Sequence, residues 1–214
     1  MKYTGRITSL IIMLMTIIAI RLYAYIYLDY SFRNLPFPGV IGLFIAFWAG
    51  KQYDKVKFDS EIDSLTGFYN RRFVDNVLPS LLAQMDRKNE KLSIAILDCD
   101  KFKAINDRYG HRKGDLVLQE FSALLLTSIR KSDVVVRWGG DEFLIIAPYA
   151  DDDDIKKILK RFNNELRELS KKMQITISVS SGYAIYPRDA KIIDDLISIA
   201  DSKMYSLKNT AGDS

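Results

Sequence analysis

The sequence predicts an α+β domain, in which helices pack on a ferredoxin-like sheet containing antiparallel strands, preceded by two apolar N-terminal helices. Three observations support this prediction. Between residues 73 and 208, segments with helical spacing of apolar side chains alternate with short apolar runs, in the order helix, strand, helix, two strands, helix, strand, helix. Two of these runs are joined by a turn with paired glycines, Gly139-Gly140, which is typical of a β-hairpin. Two long segments before residue 51 are almost free of charge.

The first of these N-terminal segments, residues 7–28, is apolar or aromatic apart from Thr8, Ser9, Thr16 and Arg21, and the second, residues 35–50, contains no charged residue. A membrane-spanning helix needs about 20 apolar residues. The first segment meets that length, and the second is at the short end of the range. Because the connection over residues 29–34 is short, residues 1–50 are predicted to form an antiparallel transmembrane hairpin.

The charges that flank the hairpin predict its orientation. Lys2 and Arg6 precede the first segment, and three lysines follow the second between residues 51 and 57. Basic residues on both outer flanks place both ends in the cytoplasm, which predicts a multi-pass protein of the cell membrane with lipid as a partner. A signal peptide is the alternative, with Leu10–Ile20 as its apolar region, but no small-residue cleavage site follows.

Residues 51–62 are polar with scattered apolar side chains, and they predict a short helical linker that could pair weakly with a copy of itself. The formal net charge is +4, and no basic stripe with interleaved aromatic residues is present, so no nucleic-acid partner is predicted. The single cysteine, Cys99, excludes an internal disulfide and fits a reducing compartment.

The remaining segments predict the elements of the α+β domain. Helices are expected over residues 73–85, from a cap at Asp115 to about residue 129, over 155–173 and over 192–208. Strands are expected over 92–98, 134–136, 144–146 and 175–184. Four consecutive acids, Asp151–Asp154, open the third helix, where negative charge complements the helix dipole.

Two acidic turns are the main candidates for function. Leu92–Leu97 is a short apolar run that ends in Asp98-Cys99-Asp100, and the hairpin glycines are followed by Asp141 and Glu142. Carboxylates at the end of a central strand, before a turn and a helix, occur where such folds bind metals and phosphates. Paired glycines let a large ligand approach the backbone, and adjacent carboxylates suit a divalent metal.

The motifs around these turns resemble those of the GGDEF domain, the diguanylate cyclase family. The matching residues are Asp98-x-Asp100-x-Phe102-Lys103-x-x-Asn106-Asp107, Gly110-His111, Gly114-Asp115 and Gly139-Gly140-Asp141-Glu142-Phe143. Asp63-x-Leu65-Thr66-Gly67-x-x-Asn70-Arg71-Arg72 is similar to the opening motif of the family. The resemblance covers residues 63–208 and implies a fold like that of the nucleotidyl cyclases, followed by a tail over residues 209–214.

The resemblance also implies an activity, the condensation of two GTP molecules into cyclic di-GMP with release of two pyrophosphates. A homodimer and Mg²⁺ or Mn²⁺ are implied with it. The metal ligands would be Asp98, the Cys99 carbonyl, Asp141 and Glu142. Asp141 would accept the proton, Glu142 and Lys103 would assist catalysis, Phe102 and Lys208 would contact phosphate, and Asn106 and Asp115 would read guanine. Arg130 and Asp133 match the RxxD product-inhibition motif in spacing from the glycine pair.

One departure from the family pattern leaves an alternative open. Tyr205-Ser206-Leu207-Lys208 matches the end of the last helix, but Gly212 stands where the family has an arginine expected to touch phosphate, and the usual last strand is not found. A weak or inactive GGDEF module that binds GTP or cyclic di-GMP and signals by protein contact is therefore the second hypothesis. Retention of the acidic motifs, Lys103 and Asn106 favours the active enzyme.

Overall fold

A computed structural model of the chain describes residues 3–28 and 37–212, and it divides into two compact units, residues 1–60 and 61–214. The first unit contains helix α1 (Thr4–Leu28) and helix α2 (Phe37–Ser60). Ser9 Oγ donates to the Ala46 carbonyl (2.8 Å), and Gly5 N–H donates to Asp54 Oδ1 (2.7 Å). These pairs show that the two helices run antiparallel.

Only one described helix, Thr4–Tyr27, is long and apolar enough to cross a membrane by length and composition. The uncharged part of α2, residues 37–50, extends about 21 Å at 1.5 Å per residue, which is less than a hydrocarbon core of about 30 Å. The second membrane span is therefore not established, and the predicted connection over residues 29–34 lies outside the described residues. The linker predicted over residues 51–62 is not a separate helix, because its residues 51–60 continue α2 to Ser60.

The second unit is a mixed α+β domain, which confirms the predicted fold class. Its elements are listed here in chain order: β1 (Tyr69–Asn70), α3 (Arg71–Lys88), β2 (Leu92–Cys99), α4 (Phe102–Tyr109), α5 (His111–Ser128), β3 (Val134–Arg137), β4 (Glu142–Pro148), α6 (Asp152–Met173), β5 (Val179–Tyr186) and α7 (Ile193–Gly212). The sheet has five strands in the order β1-β3-β4-β2-β5. The β1–β3 pair is parallel and the other pairs are antiparallel.

Both faces of the sheet are covered. Ala95, Leu97 and Phe143 pack on one face with side chains of α5 and α6, whereas Ile94 and Leu144 pack on the other with side chains of α3 and α7. Because side chains alternate between the faces of a strand, a strand buried on both sides has an uninterrupted apolar sequence. This explains why β2 and β4 are continuous apolar runs.

Two predicted elements differ from those observed, and two observed elements were not predicted. Asp115 does not cap a helix, because α5 already begins at His111. Gly110, with a φ of 83°, ends the helical conformation before that point. A separate helix, α4, precedes Gly110. The last strand begins at Val179 instead of residue 175, although Ile175 and Ile177 are buried. The two-residue strand β1 was not predicted, since so short an element has no periodicity.

Candidate active site

The sheet brings the two acidic motifs together. Asp98 pairs in register with Glu142 on β4 and with Ser180 on β5. The Cys99 N–H also donates to the Asp141 carbonyl at 3.1 Å. The hairpin tip therefore lies beside the end of β2, close enough for the charge of Asp98 to raise the pKa of the Asp141 and Glu142 carboxyls.

The hairpin turn is stabilised by backbone hydrogen bonds within it and by an arginine side chain that bonds its backbone. Inside, the Trp138 and Gly139 N–H groups donate to the Glu142 carbonyl at 2.8 and 3.2 Å. A Cβ atom on Gly139 would lie 2.6 Å from Glu142 Oε2, so glycine leaves room for this carboxylate, while Gly140 faces open space. Outside, the Arg137 guanidinium donates to the Gly140 carbonyl, with Nη2 at 2.6 Å.

Arg137 also connects the turn to the opening motif. Its Nη1 donates to both carboxylate oxygens of Asp63 at 3.0 and 3.1 Å. Asp63 in turn accepts from the Thr66 N–H and hydroxyl at 2.9 and 2.7 Å. The sequence did not reveal these roles of Asp63 and Arg137, although Arg137 stands only two residues before the Gly139-Gly140 pair.

Negative charge accumulates in the site. Burial, followed by the charge of Asp98, raises the pKa of the Asp141 carboxyl. The pKa of Glu142 is raised by burial, then by Asp98 and Asp141. Lys208 supplies positive charge, with Nζ 2.6 Å from Asp98 Oδ1, and this hydrogen bond raises the lysine's pKa. The site is therefore poised to receive more positive charge.

The side chain of Cys99 is not available to the candidate site. It is buried in the core with Leu97 and Phe143, and burial, with the charge of Asp141, raises the thiol pKa to about 12. A thiol of that pKa is protonated at neutral pH, so it is not available as a thiolate ligand. The carbonyl of Cys99 is the group that could face a metal.

The oxygen donors fit a divalent ion whose remaining ligands come from a phosphate-bearing substrate. Within residues 3–28 and 37–212, no group of three or more His, Cys, Asp or Glu side chains is arranged so that it could hold a metal ion by itself. Mg²⁺ usually takes one or two protein carboxylates and completes its shell with phosphate oxygens and water. The carboxylates of Asp98, Asp141 and Glu142 are of the right type, and the raised pKa values of the latter two show charge that a cation would offset.

The turn after β2 is anchored to β5. Asp100 accepts from the hydroxyls of Ser178 and Ser180 at 2.7 and 2.6 Å, and its N–H donates to the Ser178 carbonyl at 3.0 Å. Lys101 then adopts a left-handed φ of 54°, and α4 begins at Phe102. Sequence reasoning missed both serines, because only the register of β5 against β2 reveals that they face Asp100.

The loop and α4 present the predicted phosphate-contact residues. Lys103 is exposed in the first turn of α4, and Phe102 is half-buried beside Gly114. The first turn of a helix has free N–H groups and a positive dipole end, which favour phosphate. Lys208, on α7, approaches the same region from the side of Asp98, with which it forms an ion pair.

Asn106, predicted to read guanine, has an unused buried atom. Its Oδ1 is buried and accepts no hydrogen bond from any described residue. This oxygen lies against Gly114, where an added Cβ atom would collide with it. A buried acceptor without a donor costs about 1–3 kcal/mol, so a ligand N–H group would be favoured there. Asp115, exposed on the next residue of α5, supplies further acceptors.

Arg130 and Asp133 lie together in the connection after α5. Asp133 is buried, and its Oδ2 accepts from the Arg130 N–H at 2.9 Å while Oδ1 accepts from the Ser132 hydroxyl at 3.0 Å. The Arg130 side chain is half-exposed and points elsewhere, because its Nη2 lies 2.6 Å from Asp154 Oδ1.

Known proteins share this domain. The family profile described as "Diguanylate cyclase, GGDEF domain" matches residues 60–214. Diguanylate cyclase DosC of Escherichia coli K12 is 34% identical over 151 residues, which cover 69% of this chain and 33% of that protein. Diguanylate cyclase TpbB of Pseudomonas aeruginosa is 36% identical over 153 residues, covering 70% and 35%. The chain thus spans about a third of the length of these relatives.

Solved structures agree with the sequence relatives. The GGDEF domain of TpbB from Pseudomonas aeruginosa aligns with a TM-score of 0.65 at 35% identity, covering 70% of this chain and 89% of that chain. The coiled coil and GGDEF domain of DgcB from Caulobacter crescentus, solved in complex with cyclic di-GMP, aligns with a TM-score of 0.67 at 26% identity, covering 75% and 86%. On the extent of the profile match and the identity to these relatives, the chain belongs to the GGDEF domain family of diguanylate cyclases.

Proposed function

We propose that the protein condenses two GTP molecules into cyclic di-GMP and releases two pyrophosphates. The observation that carries the proposal is the register of β2 with β4, which places Asp98 beside Glu142 and Asp141. Relatives named as diguanylate cyclases, and a related GGDEF structure that contains cyclic di-GMP, support the same chemistry.

In this reaction the 3′-hydroxyl of each GTP attacks the α-phosphate of the other. A P–O bond to the α-phosphate forms, the bond between the α-phosphorus and the bridging oxygen breaks, and pyrophosphate leaves. Asp141 accepts the hydroxyl proton, and its raised pKa makes it a stronger base than an ordinary carboxylate. Lys103 and Lys208 offset negative charge on the phosphates and the leaving pyrophosphate, and amides near Phe102 hold phosphate oxygens.

Asp98, the Cys99 carbonyl, Asp141 and Glu142 would hold Mg²⁺ or Mn²⁺. These residues would give the ion a place from which it would offset phosphate charge and make the attacking hydroxyl easier to deprotonate. Asn106 and Asp115 would read the guanine, because N1–H and N2–H can donate to the unused Asn106 oxygen and to the carboxylate. A site that hydrogen-bonds guanine leaves these groups unpaired with adenine, so ATP would be a poor substrate.

The active form would be a homodimer, since one domain holds one GTP and the reaction needs two in contact. Membrane anchoring would raise the local concentration of the chains. Residues 7–28 and 35–50 would form the hairpin in the lipid, with both ends and the GGDEF domain in the cytoplasm, where GTP is found. Support comes from the exposed apolar side chains of α1, which include Ile12, Met15 and Tyr27.

Product inhibition would operate through Arg130 and Asp133. A guanidinium can grip a phosphate or a guanine edge with two parallel hydrogen bonds, and a carboxylate can accept from guanine N–H groups. The motif lies in the connection before the hairpin strand β3 and is separate from the acidic cluster, by which we mean Asp98, Asp141 and Glu142. Cyclic di-GMP bound there would lower activity without competing directly for the GTP site.

The second candidate is a GGDEF module without turnover. The observation in its favour is the Lys208–Asp98 ion pair, which occupies one predicted metal ligand, together with Gly212 at the position of the family's arginine. Such a module would bind GTP or cyclic di-GMP and act through protein contact.

The test is incubation of the full chain in lipid nanodiscs with GTP and Mg²⁺, followed by chromatography of the nucleotides. We expect cyclic di-GMP from the wild type, none from Asp98→Ala or Asp141→Ala, and ordinary yields from the control Asp195→Ala, which changes an exposed residue of α7. Nucleotide binding without any product would favour the second candidate. Wild-type turnover in Asp98→Ala would contradict its assignment as a metal ligand.

A further inference from the structure

The run Asp151–Asp154 is not explained by helix capping alone. Asp151 is the cap of α6, since its Oδ1 accepts from the Asp153 and Asp154 N–H groups at 3.1 and 3.2 Å. Asp152 pairs with Lys156 and Arg188. Asp154 instead reaches a different part of the chain, the connection that follows α5.

Asp154 contacts the arginine of the RxxD motif. Its Oδ1 lies 2.6 Å from Arg130 Nη2, and the Asp154 side chain is only 26% exposed. The backbone of Arg130 is fixed at the same time, because its N–H donates to Asp133 Oδ2 at 2.9 Å and its carbonyl accepts from the Asp133 N–H at 3.0 Å. The guanidinium is therefore held over the start of α6.

We propose that Asp154 is a built-in competitor of the inhibitory product. Its carboxylate takes a guanidinium donor that a phosphate of cyclic di-GMP would use, so the product must displace it before binding. This inference rests on the proposed role of Arg130 and Asp133 in product inhibition. Its consequence is that inhibition begins at a higher product concentration than the RxxD motif alone would give.

The chemistry of the two ligands makes the competition direct. A carboxylate is a planar anion and a phosphodiester is a tetrahedral one. Either anion can accept hydrogen bonds from the N–H groups of the same guanidinium. A displaced Asp154 also stays near the bound product and repels its negative charge. Both effects act against product, and neither involves the carboxylates of the acidic cluster.

The decisive variant is Asp154→Asn in the full chain, compared with Asp153→Asn. The two substitutions remove the same charge from the same helix turn, but Asp153 is exposed and makes no hydrogen bond with Arg130. We expect cyclic di-GMP to bind Asp154→Asn about three- to tenfold more tightly than Asp153→Asn by isothermal titration calorimetry without GTP. The inhibition constant from initial rates should fall by the same factor, with the uninhibited rate unchanged.

An Arg130→Ala background separates this inference from the one on which it rests. If Arg130→Ala weakens product binding, and Asp154→Asn then has no further effect in that background, the competition is supported. Equal affinities of Asp154→Asn and Asp153→Asn, with Arg130→Ala still weakened, would overturn the competition and leave the product site intact. Wild-type affinity in Arg130→Ala would overturn both. Asp154→Ser, compared with Asp153→Ser, removes the same charge and provides the same comparison if Asp154→Asn lowers the melting temperature.

Discussion

Lys208 Nζ lies 2.6 Å from Asp98 Oδ1, so the last helix supplies the countercharge for the acid at the end of β2. A divalent ion and this ammonium group would compete for the same carboxylate, whereas the phosphates of GTP would attract the lysine away from it. The same side chain can therefore oppose metal binding before the nucleotide arrives and assist nucleotide binding afterwards.

We predict that Lys208→Met binds Mn²⁺ about three- to tenfold more tightly in the absence of nucleotide, as measured by electron paramagnetic resonance titration. Its KM for GTP should rise by about tenfold or more, because a charged hydrogen bond to phosphate is lost. Lys203→Met is the matched control, since Lys203 lies on the same helix but bonds the Tyr183 carbonyl at 3.1 Å. Unchanged Mn²⁺ affinity in Lys208→Met would show that no competition takes place.

Asp141 should make the metal-free protein less stable at neutral pH than a neutral residue would. Burial raises its pKa in the folded state, so the folded chain binds the proton more tightly than the unfolded chain. Its unfavourable contribution is absent below the ordinary carboxyl pKa and develops as pH rises through the raised value. In EDTA, Asp141→Asn should therefore melt at a higher temperature than wild type at pH 7, with the difference vanishing near pH 3.5. A lower melting temperature at pH 7 would contradict this sign, while activity should be lost at every pH.

Asp100 should position the phosphate turn through its two serine partners. Asp100→Ala removes both hydroxyl contacts, at 2.6 and 2.7 Å, and we expect kcat/KM for GTP to fall by about 10- to 100-fold. Asp100→Asn should recover part of this loss, because its one amide oxygen can still accept a hydroxyl. Initial rates over a range of GTP concentrations provide the measurement. Full activity in the double variant Ser178→Ala/Ser180→Ala would rule out this positioning role.

Gly114 should control nucleotide selection through Asn106. An alanine Cβ at this position would collide with Asn106 Oδ1, so Gly114→Ala should displace the amide and raise KM for GTP by about tenfold. Alanine is also the better helix former by about 1 kcal/mol, so stability and substrate affinity need not change together. We expect the ratio of GTP to ATP binding to fall in Gly114→Ala, measured by competition with a fluorescent GTP analogue. Asn106→Ala should lower this ratio too, and an unaltered ratio in both variants would exclude Asn106 as a guanine reader.

The sequence was sufficient for elements whose patterns are local. The uninterrupted apolar runs of β2 and β4 and the paired glycines between β3 and β4 predicted the strands and the hairpin that the structure contains. The expected cap at Asp115 was wrong because α5 begins at His111, directly after Gly110, which lies five residues before Asp115 and has a positive φ of 83°. The sequence also did not reveal the partners of Asp100 or Arg137, because those contacts depend on strand pairing and on a bond to Asp63 across 74 positions.

The single helix α2 has a further consequence for how the chain can carry a signal. It runs from Phe37 to Ser60 without a break between its uncharged and charged parts. Because no flexible segment interrupts it, a rotation of the helix about its axis at one end is transmitted to the other end. Each residue of an α-helix turns the backbone by about 100° around the helix axis and advances it by about 1.5 Å. The number of residues in α2 therefore determines the direction, around the axis, in which the chain leaves the helix at Ser60. Adding seven residues would nearly restore that direction, whereas adding two would nearly reverse it. The number of residues in α2 therefore determines an angle of rotation about the helix axis as well as a length.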